Sequence, residues 1–317
     1  MRRAAAFLSD WGVALLSAAY LLALAPFVPG LLSPSNLGNV VSNFLPLLAV
    51  SLGQTLVLLT GGIDLSVTAV VALGSVAGAK VMAEAGGLAP GNALLGVLSM
   101  LAVGLAVGLF NGLAVARLRM PPFLATLAVM TFASGLAIWS TQSQGIAGLP
   151  AAFRALGGEL GGVPLSLVVV APLALAGHFV LQRTVLGRWL YAVGGNPRAA
   201  RVSGVPVERV LLLAYAACGL CAAVAAVLYT ARIETGSPVL GQRIFLDVIG
   251  GAVIGGTSLF GGRGTVRGTA LGVLFITLVD NSLNLLGLSS FTILIVKGGV
   301  ILAAAVLDAL RERLLGR

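Results

Sequence analysis

Apolar stretches close to the length of a membrane-spanning helix recur along almost the whole of this chain. A spanning α-helix needs roughly 20 residues at about 1.5 Å rise per residue. Ten stretches approach that length, near residues 11–29, 38–59, 65–83, 93–116, 122–141, 163–181, 208–230, 244–260, 268–284 and 290–308. Charged residues make up 9% of the chain and mean hydropathy is +1.07, where soluble domains carry roughly 25% charged residues. The sequence therefore predicts an all-α polytopic membrane protein, a single transmembrane domain over residues 1–317 with about ten helices. Arg2 and Arg3 precede the first stretch as in a signal peptide. That stretch is of full span length, ends at "APFVPG" and lacks a small-x-small cleavage site, so it reads as a retained helix.

Charge placement orients the bundle. With the N-terminus inside, 14 of the 19 basic residues fall on the inner face: Arg2, Arg3, Arg117, Arg119, Arg183, Arg188, Arg198, Arg201, Arg209, Arg263, Arg267, Arg311, Arg313 and Arg317. Four fall outside, Lys80, Arg154, Arg232 and Arg243, and Lys297 lies within the last stretch. This asymmetry predicts an even number of crossings with both termini inside. It also accounts for the +9 net charge by topology, with no need of nucleic acid. The weakest crossing is the eighth, "FLDVIGGAVIGGTSLFGG", whose glycines suit a buried, broken or re-entrant element.

Several chemistries are absent. The two lysines are followed by Val81 and Gly298, so no G-x-x-x-x-G-K-[ST] phosphate loop exists. His178 is the single histidine, too few for a His-based triad or a His-rich zinc site, and reads as an interface residue. Cys218 and Cys221 have redox spacing but lie in mid-span among alanines, where packing explains them better. The glycine-rich "GGTSLFGGRGT" follows no strand and has no acidic residue at the dinucleotide-binding distance. No cluster of catalytic groups stands out, which argues against a membrane enzyme.

One inner segment differs from the other short loops. Residues 182–210 carry five arginines, two glycine turns and two prolines. Within them "NPRAARVSG" predicts a short capped helix: Asn196 at the N-cap, Pro197 at the first helical position and Gly204 at the stop. Arginines alone would serve to anchor the loop on anionic membrane lipid. A capped basic helix flanked by Gly194 and Gly195 suits a protein partner better.

Five blocks in order, "TGGIDLSV", "PPFLATLAVM", "GRWLYAVGGNPRAARVSGVPV", "VIGGTSLFGGRGTVRGT" and "NSLNLLGLSSFTILIVKG", resemble the permease subunit of ribose-type bacterial ABC sugar importers over most of residues 35–308. The resemblance implies a multi-pass protein of the bacterial inner membrane. It also implies a second permease copy or paralogue, a cytoplasmic ATPase subunit that holds ATP and Mg, and a periplasmic sugar-binding protein. This chain itself then needs no cofactor and is not an enzyme. By the same resemblance Gly194, Gly195, Asn196, Arg198, Ala199, Ala200, Arg201 and Gly204, within a cytoplasmic segment 182–208, form the coupling element that docks on the ATPase.

Four departures bear on cargo and partner. Ser134 precedes Gly135 where the family often has arginine, and Phe245 replaces the acidic residue common before Leu246 and Asp247. Thr292 and Ile293 stand where an aromatic-Gln pair is common, and Arg198 where an acidic residue is frequent. The first three weaken an assignment to ribose itself; the fourth points to an ATPase surface specific to this pairing. By the same resemblance the cargo class includes pentoses, hexoses, deoxysugars and some nucleosides or signalling furanoses.

Intramembrane polar groups are functional candidates by default. Asn43, Gln54, Asn111, Asp280, Asn281, Asn284 and Lys297 fall in or near spans. Asn281 and Asn284, three apart on one helical face, are candidate translocation-path groups together with Gln54 and Asn111. Interhelical bonding, typically worth about 0.6 kcal/mol in membranes, is the competing role. Asp280 is a candidate ion-pair partner for Lys297. An ion-coupled secondary transporter is the alternative reading, and it would need Asp64 or Asp280 as a proton-carrying acid.

Asp64 has a simpler explanation. As one helix, Phe44 to Ala79 would be about 54 Å long, nearly twice the roughly 30 Å hydrocarbon thickness. The chain must break, and Gly61 and Gly62 allow it. Asp64 can then cap the next helix by accepting from the N–H of Ser66 or Val67, near the favourable end of the helix dipole. "TGGIDLSVTAVVALG" also has a faint echo in "IGGTSLFGGRGTVRGTALG".

Overall fold

The computed structural model describes residues 2–84, 90–242 and 244–314; Arg243 and Arg317, both counted in the charge argument, lie outside them. In chain order the helices are α1 (Arg2–Leu24), α2 (Pro34–Leu59), α3 (Val67–Glu84), α4 (Pro90–Ala116) and α5 (Pro122–Thr141). A short α6 (Ala151–Arg154), a 3-10 turn (Ala155–Gly157) and a two-stranded antiparallel hairpin, β1 (Glu159–Leu160) with β2 (Val163–Pro164), follow. Then come α7 (Ser166–Arg183), α8 (Val185–Gly195), α9 (Pro197–Val202), α10 (Val207–Ile233), α11 (Phe245–Ile254), α12 (Val266–Leu285) and α13 (Ser290–Leu314).

Among the described residues, α2, α4, α5, α7, α10 and α12 are long and apolar enough to cross a membrane, and α1, α3, α11 and α13 contribute shorter apolar stretches. Each of the ten expected stretches thus contains a helix. Two boundaries are corrected. The first helix ends at Leu24, and turns through Gly30 (φ +80°) replace its expected end at residue 29. The eighth segment is a ten-residue helix, about 15 Å long, so 244–260 is no full-length crossing. Its glycine-rich second half forms an extended loop back to α12.

Helices α2 and α10 form the enclosed centre, while α5 and α7 turn apolar side chains outward; Trp139 is 78% and Phe132 73% exposed. In water such a surface would drive association, and lipid is its natural solvent. Helix α2 starts at Ser33, whose Oγ accepts from the Asn36 N–H at 3.3 Å, with Pro34 at the first position.

The tightest pairing is α4 with α10. Gly104, Gly108 and Gly112 recur every fourth residue, on one face of α4. A Cβ on Gly104 would strike the Gly219 carbonyl of α10, one on Gly219 would strike the Gly104 carbonyl, and one on Gly108 would strike the Tyr215 carbonyl. Backbones this close gain van der Waals contact in lipid, where no hydrophobic force joins helices. Gly108→Val is therefore expected to destabilise the protein by about 1–3 kcal/mol through overpacking, read as a lower thermal midpoint in detergent. An unchanged midpoint would mean that the helices can separate at no cost.

Two ends of the bundle are distinct. At one, Glu159 of the hairpin lies beside Gly38 of α2, and Gly157 packs on the Arg232 backbone of α10. At the other, the ends of α2 and α8 meet the loop before α12.

Candidate functional site

The basic segment 182–208 is almost wholly helical. Helix α8, expected as loop, is capped by Thr184, whose Oγ1 accepts from the Gly187 N–H at 3.3 Å. Gly194 and Gly195 are its last residues, which corrects their reading as a turn. Helix α9 has the expected local chemistry: the Asn196 Oδ1 accepts from the N–H groups of Arg198 and Ala199, both at 3.0 Å, Pro197 opens the helix and Gly204 follows it at φ +82°. Ala200 is buried against the body, while Arg198, Ala199, Arg201 and Gly204 are exposed. Val202 is 90% exposed. This aliphatic knob stands next to exposed arginines, and its exposure depends on how α9 is laid down, so spacing alone did not single it out.

Asp64 lies 1% exposed at the turn from α2 to α3. Its Oδ1 accepts from the Ser66 N–H at 2.9 Å, the Ser66 hydroxyl at 2.6 Å and the Asn111 Nδ2 of α4 at 3.4 Å. Asn111 also donates to the Ser66 Oγ at 2.8 Å. The Ser66 carbonyl takes the first α3 hydrogen bond, from the Val70 N–H at 2.8 Å. Ser66 thus holds the cap position itself, and Asp64 holds Ser66. Gln54 of α2 is satisfied with its amide turned so that Nε2 donates to the Asp64 carbonyl (3.0 Å) and Oε1 accepts from the Asp64 N–H (3.3 Å). Gln54 and Asn111, expected on the translocation path, are fully buried in this knot and line no part of the cavity described below.

The polar cavity lies elsewhere, toward the hairpin end. It has a volume of about 750 Å³ and is lined by α2, α10, α11, α12 and α13. Its polar wall holds Asn43, Gln242, Asp280, Asn281, Asn284 and Lys297, and Tyr229, Phe245 and Phe291 supply aromatic faces. Asn281 has two roles at once. It faces the cavity and exchanges two hydrogen bonds with Asn36 of α2, both 2.9 Å. Asn284 donates to the Asp280 carbonyl and carboxylate at 2.7 and 3.1 Å.

Lys297 of α13 meets Asp280 at 3.0 Å, the expected pair, and also Asp247 in the first turn of α11 at 2.7 Å. Asp247 is the more enclosed partner, its side chain 10% exposed against 43% for Asp280. Two carboxylates and one ammonium leave the cavity wall with a net negative charge. Among the departures noted in the sequence, Phe245 and Ile293 line the cavity; Ser134 and Thr292 do not. A second, apolar groove of about 220 Å³ between α2, α7, α8 and α10 has no polar lining group suited to a hydroxylated ligand.

Comparison with known proteins gives a consistent answer. Residues 36–305 match the family described as the branched-chain amino acid transport system / permease component. The chain is 40% identical over 289 residues to the ribose import permease protein of Bacillus subtilis, covering 88% of this chain and 86% of that protein. It is 38% identical to the ribose import permease protein of Escherichia coli, with 88% and 87% covered. It is 32% identical to the D-allose transport system permease protein of Escherichia coli, with 92% and 90% covered. No solved structure matches the chain. The family match and these relatives together show that the chain belongs to this family of import-system permease components.

Proposed function

We propose that this permease carries a neutral monosaccharide of ribose-like or hexose size across the bacterial inner membrane. The cavity carries the proposal: about 750 Å³ falls within the roughly 300–1,000 Å³ of small-ligand sites. Its amides and carboxylates suit hydroxyl groups, and Tyr229, Phe245 and Phe291 suit the apolar faces of a sugar ring. The names of the relatives, which cite ribose and D-allose, support the same class.

In this reading nine apolar helices cross the membrane, and α11 with the loop that follows it makes the tenth passage, so that both termini lie inside. Helix α9 then lies at the cytoplasmic face as the docking element for an ATPase subunit that holds ATP and Mg. The hairpin end receives sugar from a periplasmic binding protein. Phe291 and Ile295, 80% and 75% exposed beside the cavity, are the surface that a second permease copy or paralogue covers. The ion-coupled alternative is not favoured: the relatives are permease components of import systems, Asp64 is tied to donors inside the fold, and Asp280, the other candidate acid, faces the cavity paired with Lys297.

The test is reconstitution in vesicles with the ATPase and binding protein of the same system, using radiolabelled pentoses and hexoses. Uptake is expected only with ATP and both partners. Val202→Glu, which puts a charge on the exposed knob of α9, is expected to reduce co-purification of the ATPase at least tenfold, the loss that about 1.4 kcal/mol of binding represents. Ion-driven uptake by the permease alone would overturn the assignment.

A further inference from the structure

Three glycine pairs that are far apart in sequence meet at the α9 end of the bundle. They are Gly61–Gly62 after α2, Gly194–Gly195 at the end of α8, and Gly261–Gly262 between α11 and α12. The Gly262 N–H donates to the Leu59 carbonyl at 2.9 Å. Gly194 is pressed against both of those groups: a Cβ there would collide with the Leu59 carbonyl and the Gly262 nitrogen. Gly261, at φ +87°, lies against the Gly61 backbone and the Gly194 carbonyl. One helical turn before Gly194, the Tyr191 hydroxyl donates to the Gly264 carbonyl at 2.8 Å. The two segments that echo each other in sequence are therefore in direct contact, and the end of α8 is wedged between them.

The connections leading away from this junction give it meaning. Gly194 stands two residues before Asn196, the cap of α9. Leu59 ends α2 and leads into the Asp64 turn. Gly264 precedes Thr265, whose Oγ1 caps α12 by accepting from the Gly268 N–H at 2.9 Å. In the other direction the loop continues into α11. Helices α11 and α12 are packed backbone to backbone: a Cβ on Gly255 would strike the Gly268 carbonyl, and one on Gly272 the Gly251 carbonyl. Interfaces this close move as a unit because packed groups have few alternative arrangements. The far ends of that unit carry Asp247 and Asp280, which hold Lys297 at the cavity.

We propose that Tyr191 and Gly194 are positioning residues that transmit displacement of α9 to the cavity, through the 255–265 loop into the α11/α12 pair. The proposal rests on the reading of α9 as the ATPase contact. Tyr191 is the attachment point and Gly194 the fulcrum. A rigid contact at Gly194 alone could push the loop but not pull it; the Tyr191 hydrogen bond makes the connection work in both directions. Loss of that bond leaves the fold in place and lets ATP be hydrolysed without moving cargo.

The test uses the assembled importer with its ATPase and binding protein. Tyr191→Phe removes one hydroxyl and no volume. The expected result is about a five-fold rise in ATP hydrolysed per sugar imported, the size set by one half-buried hydrogen bond. The thermal midpoint is expected to fall by no more than about 4 °C. A purely structural role would lower uptake and hydrolysis together and leave their ratio unchanged, which overturns the proposal. Arg201→Cys, in the presence and absence of Tyr191→Phe, then supplies a thiol on α9 for crosslinking to the ATPase; the native Cys218 and Cys221 are buried. A crosslink that persists with a raised ratio supports the relay. A crosslink that persists with an unchanged ratio overturns the relay alone, and absence of a crosslink with Tyr191 intact overturns the docking reading and the relay with it.

Discussion

Lys297→Met is expected to lower stability by about 3–5 kcal/mol, because it strands two carboxylates that share a single ammonium. The loss falls mainly on Asp247, which has Lys297 at 2.7 Å and whose Oδ1 already lacks a hydrogen-bond partner. Asp280 is 43% exposed and can be hydrated from the cavity. Asp247, more than the Asp280 expected from the sequence, is thus the partner whose removal should rescue the variant. Pairing Lys297→Met with Asp247→Leu replaces a buried ion pair by apolar groups, a change that is often neutral or stabilising, and most of the lost stability should return. Pairing it with Asp280→Asn should recover little. The check is the thermal midpoint of the detergent-purified variants, and recovery through Asp280 in place of Asp247 would reverse the assignment. Transport should stay impaired in the rescued double variant, since Asp247 and Lys297 also fasten the half-length α11 to α13 at the cavity wall.

Asp247 also shows where sequence reading stops. Its partner is 50 residues away, and no local pattern links them. Membrane depth was legible in part because apolar length is a local property: every expected span contains a helix, six of them long and apolar enough to cross alone, and α5 keeps its ends because Pro122 opens it and Gln142 leaves the helical region. Helix α9 was legible for the same reason, as Asn-Pro and a terminal glycine act within one turn. Helix α8 was not, because it lies in an arginine-rich segment and ends in two glycines. What makes it helical is packing against α7 and α10 and the close fit of Gly194, all of them tertiary.

Intramembrane polarity was a genuine signal but an ambiguous one. It marked Asn281 and Asn284, which line the cavity, and also Gln54 and Asn111, which brace the Asp64 turn. A polar side chain in a span must bond to something, and sequence alone does not say whether that is cargo or a neighbouring helix. The fourfold glycine spacing of α4, a known signal for close helix approach, stands in the sequence but was not read from it. Its partner on α10, around Tyr215 and Gly219, emerged only from the packed structure.

Asp64→Leu is expected to remove most of the folded protein, whereas Asp64→Asn should retain most of it. Leucine leaves the Ser66 N–H and hydroxyl, and in part the Asn111 amide, without the acceptor they share. Each unmet buried donor costs about 1–3 kcal/mol, and together they approach the roughly 5–15 kcal/mol that holds a typical domain folded. The turn between α2 and α3 would then lose its hold on Ser66, the cap of α3. Asparagine keeps an acceptor oxygen in the same place and gives up only the charge. The comparison is read as yield of monodisperse protein in detergent and ATP-driven uptake in vesicles. Equal loss in both variants would show that the charge itself is required. Uptake that survives Asp64→Asn excludes Asp64 as the proton-carrying acid of an ion-coupled carrier, because such an acid must gain and lose a proton in each cycle and an amide cannot.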